Sequence, residues 1–157
     1  KVHVRSWQIG YEKLLPKQYL DSLNPRDRAS RYDFSHNDIN RPCTFVAVDG
    51  DSVVGFVTIR ASSSSKSKCG ELNALYVDPD HWRLGIGSRL LTFAVKRFAE
   101  LDLESAILWV LKDNARAMHS YEKQGWVANN HSKTDCIWGI NIEELQYKYN
   151  FAGNSMK

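Results

Sequence analysis

The spacing of apolar residues changes once in the second half of the chain, and the change predicts a strand followed by a helix. Residues 71–77 are mostly apolar and end at Asp78-Pro79, a turn signal, so they predict a buried strand. Residues 83–88 interrupt the pattern with two glycines. Helical spacing then places one apolar face on Leu90, Leu91, Ala94, Val95, Phe98 and Leu101. A helix ending near Leu101 is therefore predicted.

The first thirty residues predict a set of helices. Residues 2–23 carry apolar side chains at helical spacing, and Pro16 is expected to begin a second segment. The face of the first segment consists of Trp7, Tyr11, Leu14 and Leu15. Asn24 precedes Pro25, and this pair predicts the end of one helix and the start of another that reaches Ala29.

The middle of the chain predicts a β-hairpin. Residues 44–48 and 53–59 are β-branched runs, and Asp49-Gly50-Asp51 between them is a hairpin turn signal. Residues 62–68 (SSSSKSK) are polar and low in complexity, which predicts a mobile hairpin loop.

The remaining elements complete an α/β pattern. Residues 105–111 predict a buried strand, and Asn114 is a helix cap before a short helix over 115–124. Residues 126–129 and 136–147 predict a closing pair of strands, with a frayed tail over 150–157. The order of elements predicts one domain over residues 1–157, built as a mixed sheet with helices on both faces.

Size and composition exclude several classes of protein. The chain has 157 residues and a formal net charge of +3, and its basic residues are scattered rather than striped, so nucleic acid is not an expected partner. Cys43, Cys69 and Cys136 form neither a zinc pattern nor a disulfide framework, so no metal is expected. No apolar run approaches a membrane span and no signal peptide opens the chain, so a cytoplasmic protein without membrane contact is expected.

The glycine-rich segment 83–88 predicts a phosphate site. Glycines let the backbone approach a ligand closely, and the amides of a first helical turn have no partner inside the helix. The helix dipole adds roughly half a positive charge there. A Gly-x-Gly alone also suits an ordinary tight turn before a helix. Neither a third glycine nor the Gly-Lys-Ser/Thr of a P-loop is present.

This stretch resembles the acetyl-CoA-binding segment of the GCN5-related N-acetyltransferase (GNAT) superfamily. There, a strand with a Val-x-Pro-like turn is followed by Q/R-x-x-G-x-G/A, and here Trp82 stands at the position of Gln or Arg. Residues 114–126 are similar to the second signature, N-x-x-A-x-x-[FYLS]-Y-x-x-x-G-[FW]. The matching positions are Asn114, Ala117, Tyr121, Gly125 and Trp126.

The resemblance implies a fold and a cofactor. In GNAT proteins the two central parallel strands splay apart, the pantetheine arm lies in the gap, and the first helices cover the acceptor entrance. The family's first strand does not appear before the helices here, and is expected to be absent or trimmed. The implied acetyl-CoA contacts are Leu75, Tyr76, Val77, Arg83, Leu84, Gly85, Ile86, Gly87, Ser88, Asn114, Ala117 and Tyr121.

Two side chains are candidates for catalysis. A phenol with a pKa of about 10 stays protonated at neutral pH and can protonate a departing thiolate, which suits Tyr121 as general acid; a core aromatic role is the alternative. Glu71 matches the strand glutamate that acts as base in histone-type members; an exposed strand-end carboxylate, with ordered water as base, is the alternative. Arg83 and Arg89 flank the loop and are candidates to pair with phosphates.

The function implied is an N-acetyltransferase that moves an acetyl group directly from acetyl-CoA to a primary amine, on a small molecule or a protein. The alternative is a catalytically inactive acyl-CoA-binding regulatory module. The sequence does not select the acceptor, although Asp33, Asp38 and Glu143 lie in the segments expected to surround a cationic one. A homodimer is left open.

Overall fold

The computed structural model describes residues 1–64 and 67–151. Within these ranges the chain forms five α-helices, one short 3₁₀ helix over Pro79–His81 and six β-strands. The helices are α1 (Val2–Gly10), α2 (Lys17–Ser22), α3 (Pro25–Ala29), α4 (Ile86–Glu100) and α5 (Ala115–Lys123). The strands are β1 (Cys43–Asp49), β2 (Ser52–Ser64), β3 (Ser67–Val77), β4 (Ser105–Leu111), β5 (Val127–Ile137) and β6 (Ile140–Asn150).

The described strands form one mixed sheet in the order β1-β2-β3-β4-β6-β5. Neighbours are antiparallel except for β3 and β4, which are parallel because α4 connects them. Helix α4 packs on β2, β3 and β4, whereas α1 packs on β2 and β3. Phe56 and Tyr76 contact α1, and their chain neighbours Val57 and Leu75 face the α4 side, so the two helices cover opposite faces. The predicted α/β architecture is confirmed.

The core lies between α4 and the sheet. Leu90, Leu91, Ala94 and Phe98 are buried, and the other predicted positions of that face are half-buried. Gly70 on β3 lets the helix approach closely, because a Cβ built there would lie 2.5 Å from the Phe98 ring. The predicted amphipathic helix is confirmed, and it fixes where the preceding loop meets the sheet.

The two central strands separate along their length. Cys69–Leu72 pairs with Ser105–Leu108, and the pairing stops there. Strand β3 nevertheless continues to Val77, and β4 continues to Leu111. The splay expected from the family resemblance is present, so the facing edges of these two strand ends have no strand partner within the described residues.

The predicted loop over residues 62–68 is mostly strand. Ser62 and Ser63 of β2 pair with Cys69 and Lys68 of β3, so the hairpin ladder continues almost to its tip. A main-chain ladder forms whatever the polarity of the side chains, which is why the polar composition was misleading. Residues 65–66, in the predicted loop, and 152–157, in the predicted frayed tail, lie outside the described residues.

The predicted boundaries of the last two strands are wrong. A strand over 136–147 was expected, but the chain turns at Trp138-Gly139 within that range, and β5 runs from Val127 to Ile137. Trp138 has φ of 51° and Gly139 has φ of 76°, the pair of positive values that a two-residue hairpin turn of type I′ requires. Tryptophan is not a usual residue for such a turn, so the sequence did not signal it.

No helix in the described part of the chain is both long and apolar enough to span a bilayer.

The predicted N-terminal helices are present, with Pro16 immediately before α2 and Pro25 opening α3. Residues 11–15 lie outside these helices, so the expected helical segment over 2–23 is interrupted. Leu15 in that interruption is buried, and Trp7 and Tyr11 reach the opening between β3 and β4.

Candidate active site

A cavity of about 620 Å³ opens where β3 and β4 separate. Its wall includes Leu91 and Tyr121 on the side of the sheet covered by α4, and Trp7 and Tyr11 on the side covered by α1. The cavity therefore joins the two faces of the sheet through the gap between the strands. Both segments that resemble the GNAT signatures contribute to this wall.

The glycine-rich loop forms one end of the cavity. Arg83 and Gly85 have φ values of 63° and 78°, and Gly85 is the N-cap of α4 without any side-chain cap. No hydrogen bond within the described part of the chain engages the amides of Ile86, Gly87 and Ser88. Left-handed residues next to helical ones arrange successive N–H groups into a concave site for an anion. This end of the cavity therefore suits a phosphate group.

Asn114 starts the second helix at the cavity. Its side chain is buried, and its Oδ1 accepts a hydrogen bond of 3.2 Å from the amide of Ala117, so it caps α5 as predicted. Among the described residues no acceptor binds its side-chain NH₂ group, and Asn114 lines the cavity. The carbonyl oxygen of this side chain thus has a structural role, and its NH₂ group can donate a hydrogen bond to a ligand.

Tyr121 lies in the last turn of α5 and lines the cavity. Its ring is half-buried, with centroids 6.4 Å from those of Trp126 and Tyr147. Burial raises the pKa of Tyr121, so the hydroxyl is protonated at neutral pH. Within the described residues this hydroxyl makes no hydrogen bond, unlike that of Tyr147, which donates to Glu122 at 2.7 Å.

Glu71 lines the cavity next to Leu72, the last residue of β3 that pairs with β4. One carboxylate oxygen accepts a 2.7 Å hydrogen bond from the guanidinium of Arg60, directly across the ladder on β2. The half-buried carboxylate is therefore held in place by a charged partner. The second oxygen of Glu71 is not part of this ion pair and remains able to accept a proton.

The predicted cofactor contacts divide into two groups. Leu84 and Arg89 do not line the cavity, and the side chain of Leu84 is exposed. The structure brings the other predicted residues into the cavity wall: Leu75, Tyr76, Val77, Arg83, Gly85, Ile86, Gly87, Ser88, Asn114, Ala117 and Tyr121. No described group of three or more His, Cys, Asp or Glu residues is arranged to hold a metal ion.

The end of the cavity nearest β5 carries acidic side chains that the sequence reasoning missed. Asp135 and Glu144 line it, together with Trp109 and Lys133. The Lys133 ammonium lies 3.2 Å from Glu144 and 4.5 Å from the centre of the Trp109 ring. None of the acidic residues first suggested lines the cavity, namely Asp33, Asp38 and Glu143. Asp33 instead pairs with Arg41, and Glu143 pairs with Lys112.

The missed residues come from distant parts of the chain. Trp7, Trp109 and Glu144 line one cavity only because the fold places β4 beside β6 in the sheet and packs α1 on β3. Arg116 also lines the cavity, and it lies inside the second signature at a position that the pattern leaves unspecified. Its place in that signature was the one feature of the sequence that could have indicated Arg116 as a residue of the site.

The fold around this opened parallel strand pair is similar to that of solved N-acetyltransferases. A PaiA N-acetyltransferase from Thermoplasma acidophilum in complex with coenzyme A is similar, with a TM-score of 0.66, 21% identity, and coverage of 94% of this chain and 89% of that one. The Escherichia coli ribosomal-protein-S18-alanine N-acetyltransferase is also similar, with a TM-score of 0.67, 17% identity, and coverage of 99% of this chain and 90% of that one.

The chain belongs to the Acetyltransferase (GNAT) family, which matches residues 8–126. An uncharacterised N-acetyltransferase of Bacillus subtilis, YuaI, is 31% identical over 116 residues, which are 73% of this chain and 65% of that protein. A mycothiol acetyltransferase of Acidimicrobium ferrooxidans is 30% identical over 123 residues, which are 77% of this chain and 37% of that protein. The chain thus spans less than two thirds of the length of these curated relatives.

Proposed function

We propose that the protein transfers an acetyl group from acetyl-CoA directly to a primary amine, on a small molecule or a protein. One observation carries this proposal: a single cavity joins the open helix start of α4, the unpaired edge of β3 and the unbonded hydroxyl of Tyr121. These are the groups needed to bind a phosphate, to bind an amide-containing arm and to supply a proton.

Acetyl-CoA would supply the activated acetyl group as a thioester. The free amides at the start of α4 suit its diphosphate, and the described residues contain two guanidinium groups, Arg83 and Arg116, in the same wall. The unpaired edges of β3 and β4 suit the amides of the pantetheine arm, since each edge offers N–H and C=O groups. The cavity therefore offers groups for both the diphosphate and the pantetheine arm of the cofactor.

Tyr121 is proposed as the general acid. The thiolate that leaves is the conjugate base of an alkyl thiol with a pKa of about 8.5. The burial that raises the pKa of the Tyr121 phenol also disfavours a thiolate anion at the same place. As the C–S bond breaks, this hydroxyl would protonate the sulfur, and the phenolate left on Tyr121 would regain its proton from the amine nitrogen, which loses one on becoming an amide.

Glu71 is proposed as the proton acceptor, through water. An alkylammonium has a pKa of about 10.4, so its deprotonation costs about 4–5 kcal/mol at neutral pH. The carboxylate of Glu71 is held by Arg60 at the place where the strands begin to separate. A fixed carboxylate there would accept, through water, the proton that the ammonium must lose before its nitrogen can attack the thioester.

The experiment is a screen of amines with acetyl-CoA, in which free thiol is measured as it is released. The panel includes aliphatic monoamines, diamines, amino acids, aminoglycosides, peptides with free N-termini and lysine peptides. We expect thiol release that depends on one class of amine, with the product carrying one added acetyl group by mass spectrometry. Tight binding of acetyl-CoA without turnover on the panel would favour the inactive acyl-CoA-binding module instead.

A further inference from the structure

Trp82 departs from the family pattern, because an indole replaces the Gln or Arg that precedes the glycines by three residues. Its Nε1 donates a 2.7 Å hydrogen bond to the carbonyl of Val77, at the end of β3. The half-buried ring is therefore fixed at the mouth of the gap between β3 and β4. It cannot itself supply a positive charge to a phosphate.

A positive charge nevertheless lies on this ring. The guanidinium of Arg116, which comes from the first turn of α5, is centred 3.6 Å from the centre of the Trp82 ring. Gly10 at the end of α1 leaves room for the pair, since a Cβ there would lie 3.2 Å from an Arg116 nitrogen and 3.8 Å from the indole. The stacked guanidinium links the two sides of the gap, and this geometry orients its fork of donors.

No carboxylate neutralises this charge. Among the described residues neither Arg116 nor Arg83 forms an ion pair, whereas Arg5, Arg41, Arg60 and Arg97 each do. Burial, in addition to the nearby positive charge of Arg83, lowers the pKa of Arg116, although a guanidinium stays charged at neutral pH. Two neighbouring guanidinium groups without an acidic partner favour an anionic ligand between or beside them.

We infer that Arg116, oriented by the Trp82 ring, binds the diphosphate of coenzyme A and replaces the side chain that the family pattern places at position 82. The inference rests on the proposed function, because it requires the coenzyme in this cavity. It makes Arg116 a binding residue and Trp82 a positioning residue. The diphosphate is then held from both sides of the gap, by the amides of α4 and by the first turn of α5.

The test measures the affinity of coenzyme A and of pantetheine, which lacks the diphosphate, by calorimetry and by competition. Arg116→Ala should weaken coenzyme A binding by about 10–100-fold and leave pantetheine binding unchanged, since a charge-assisted pair is lost only with the former. The coenzyme A affinity of the variant should also depend less on salt. Arg26→Ala is the control, because this exposed arginine on α3 does not line the cavity, and it should bind as the wild type does.

Rescue provides the sharpest part of the test. Adding Trp82→Arg to Arg116→Ala should recover most of the coenzyme A affinity, because the charge returns on the other side of the gap. Arg116→Lys keeps the charge without the planar fork and should lose less affinity than Arg116→Ala. Thermal unfolding of each variant verifies that it is folded, and Arg116→Gln serves if the alanine variant is not.

Three results would overturn the inference. If Arg116→Ala bound coenzyme A with wild-type affinity, Arg116 would make no contact with the diphosphate. An equal loss for coenzyme A and pantetheine would make Arg116 a structural link across the gap, and a change only in the KM of the amine would assign it to the acceptor. If the wild-type protein itself fails to bind coenzyme A, the proposed function fails, and that result is distinct from all three.

Discussion

Helices α4 and α5 both begin at the cavity, but their first turns are completed in opposite ways. Asn114 caps α5 with its own side chain, whereas Gly85 at the start of α4 has no side chain and leaves three amides without a partner. A helix start that is capped by its own N-cap side chain stabilises the helix. One that is left open can bind an anion.

The packing of the two helices explains how the protein tolerates this difference. Helix α4 has fifteen residues and buries Leu90, Leu91, Ala94 and Phe98, so tertiary contacts hold it without a cap. Helix α5 has nine residues and no fully buried side chain among them, so its cap matters more. The comparison predicts that changes at the open start of α4 alter binding without altering chemistry, whereas changes along α5 alter chemistry at Tyr121, stability at the Asn114 cap and coenzyme binding at Arg116.

Tyr121→Phe should have the largest effect and would separate chemistry from binding. Loss of the hydroxyl should lower kcat by roughly 10²–10³-fold, since one general acid is removed, with little change in the Kd of acetyl-CoA. Steady-state rates with the amine found in the screen and calorimetry with acetyl-CoA measure the two quantities. Tyr147→Phe is the control, because its hydroxyl is bonded to Glu122. An unchanged kcat in Tyr121→Phe would refute the acid assignment.

Gly85→Val should have the next largest effect, and on binding rather than on kcat. A β-branched residue at φ of 78° is strained, and its Cβ would stand beside the open amides, so the Kd of acetyl-CoA should rise by about 10–100-fold. Gly50→Val is a matched control, since Gly50 also has positive φ and open space around it but lies in the β1–β2 turn. Equal losses of affinity in both variants would contradict a site at α4.

Asn114→Ala and Asn114→Ser should have the smallest effects and would divide the two roles of one side chain. Alanine removes the cap and should lower the free energy of unfolding by about 1 kcal/mol, whereas serine caps well and should nearly preserve it. If the side-chain NH₂ also holds the cofactor, both variants should lose several-fold in acetyl-CoA affinity. Denaturant unfolding and calorimetry measure the pair. A serine variant with wild-type affinity would leave Asn114 as a cap alone.

Elements defined by local chemistry were predictable from the sequence. Strand β4 has the predicted bounds because its apolar residues are continuous, and α5 begins after Asn114 because an asparagine caps a helix by a local hydrogen bond. The turn at Trp138-Gly139 was missed because its conformation depends on pairing between β5 and β6 more than on residue preference. The prediction of a loop over residues 62–68 was wrong for a similar reason, since backbone pairing between strands does not require apolar side chains.

The candidate site was predictable in part, for a related reason. The loop at Gly85 and the residues around Tyr121 lie in short signatures, so their place at one cavity could be expected from the family resemblance. Asp135, Glu144 and Trp109 reach the cavity through the strand order, which no local pattern specifies. The roles of Tyr121 and Glu71 stay predictions until rates are measured.

The short pairing between β3 and β4 has a mechanical consequence. Among the described residues, strand pairing between the leaf formed by β1, β2 and β3 and the leaf formed by β4, β6 and β5 is limited to Cys69–Leu72 and Ser105–Leu108. With so short a seam, a change in the relative twist of the two leaves would break few backbone pairs, and the packing of α4 on β2, β3 and β4 is what resists it. A molecule that bonds to both strand ends would therefore add a connection between the leaves beyond their last backbone pair.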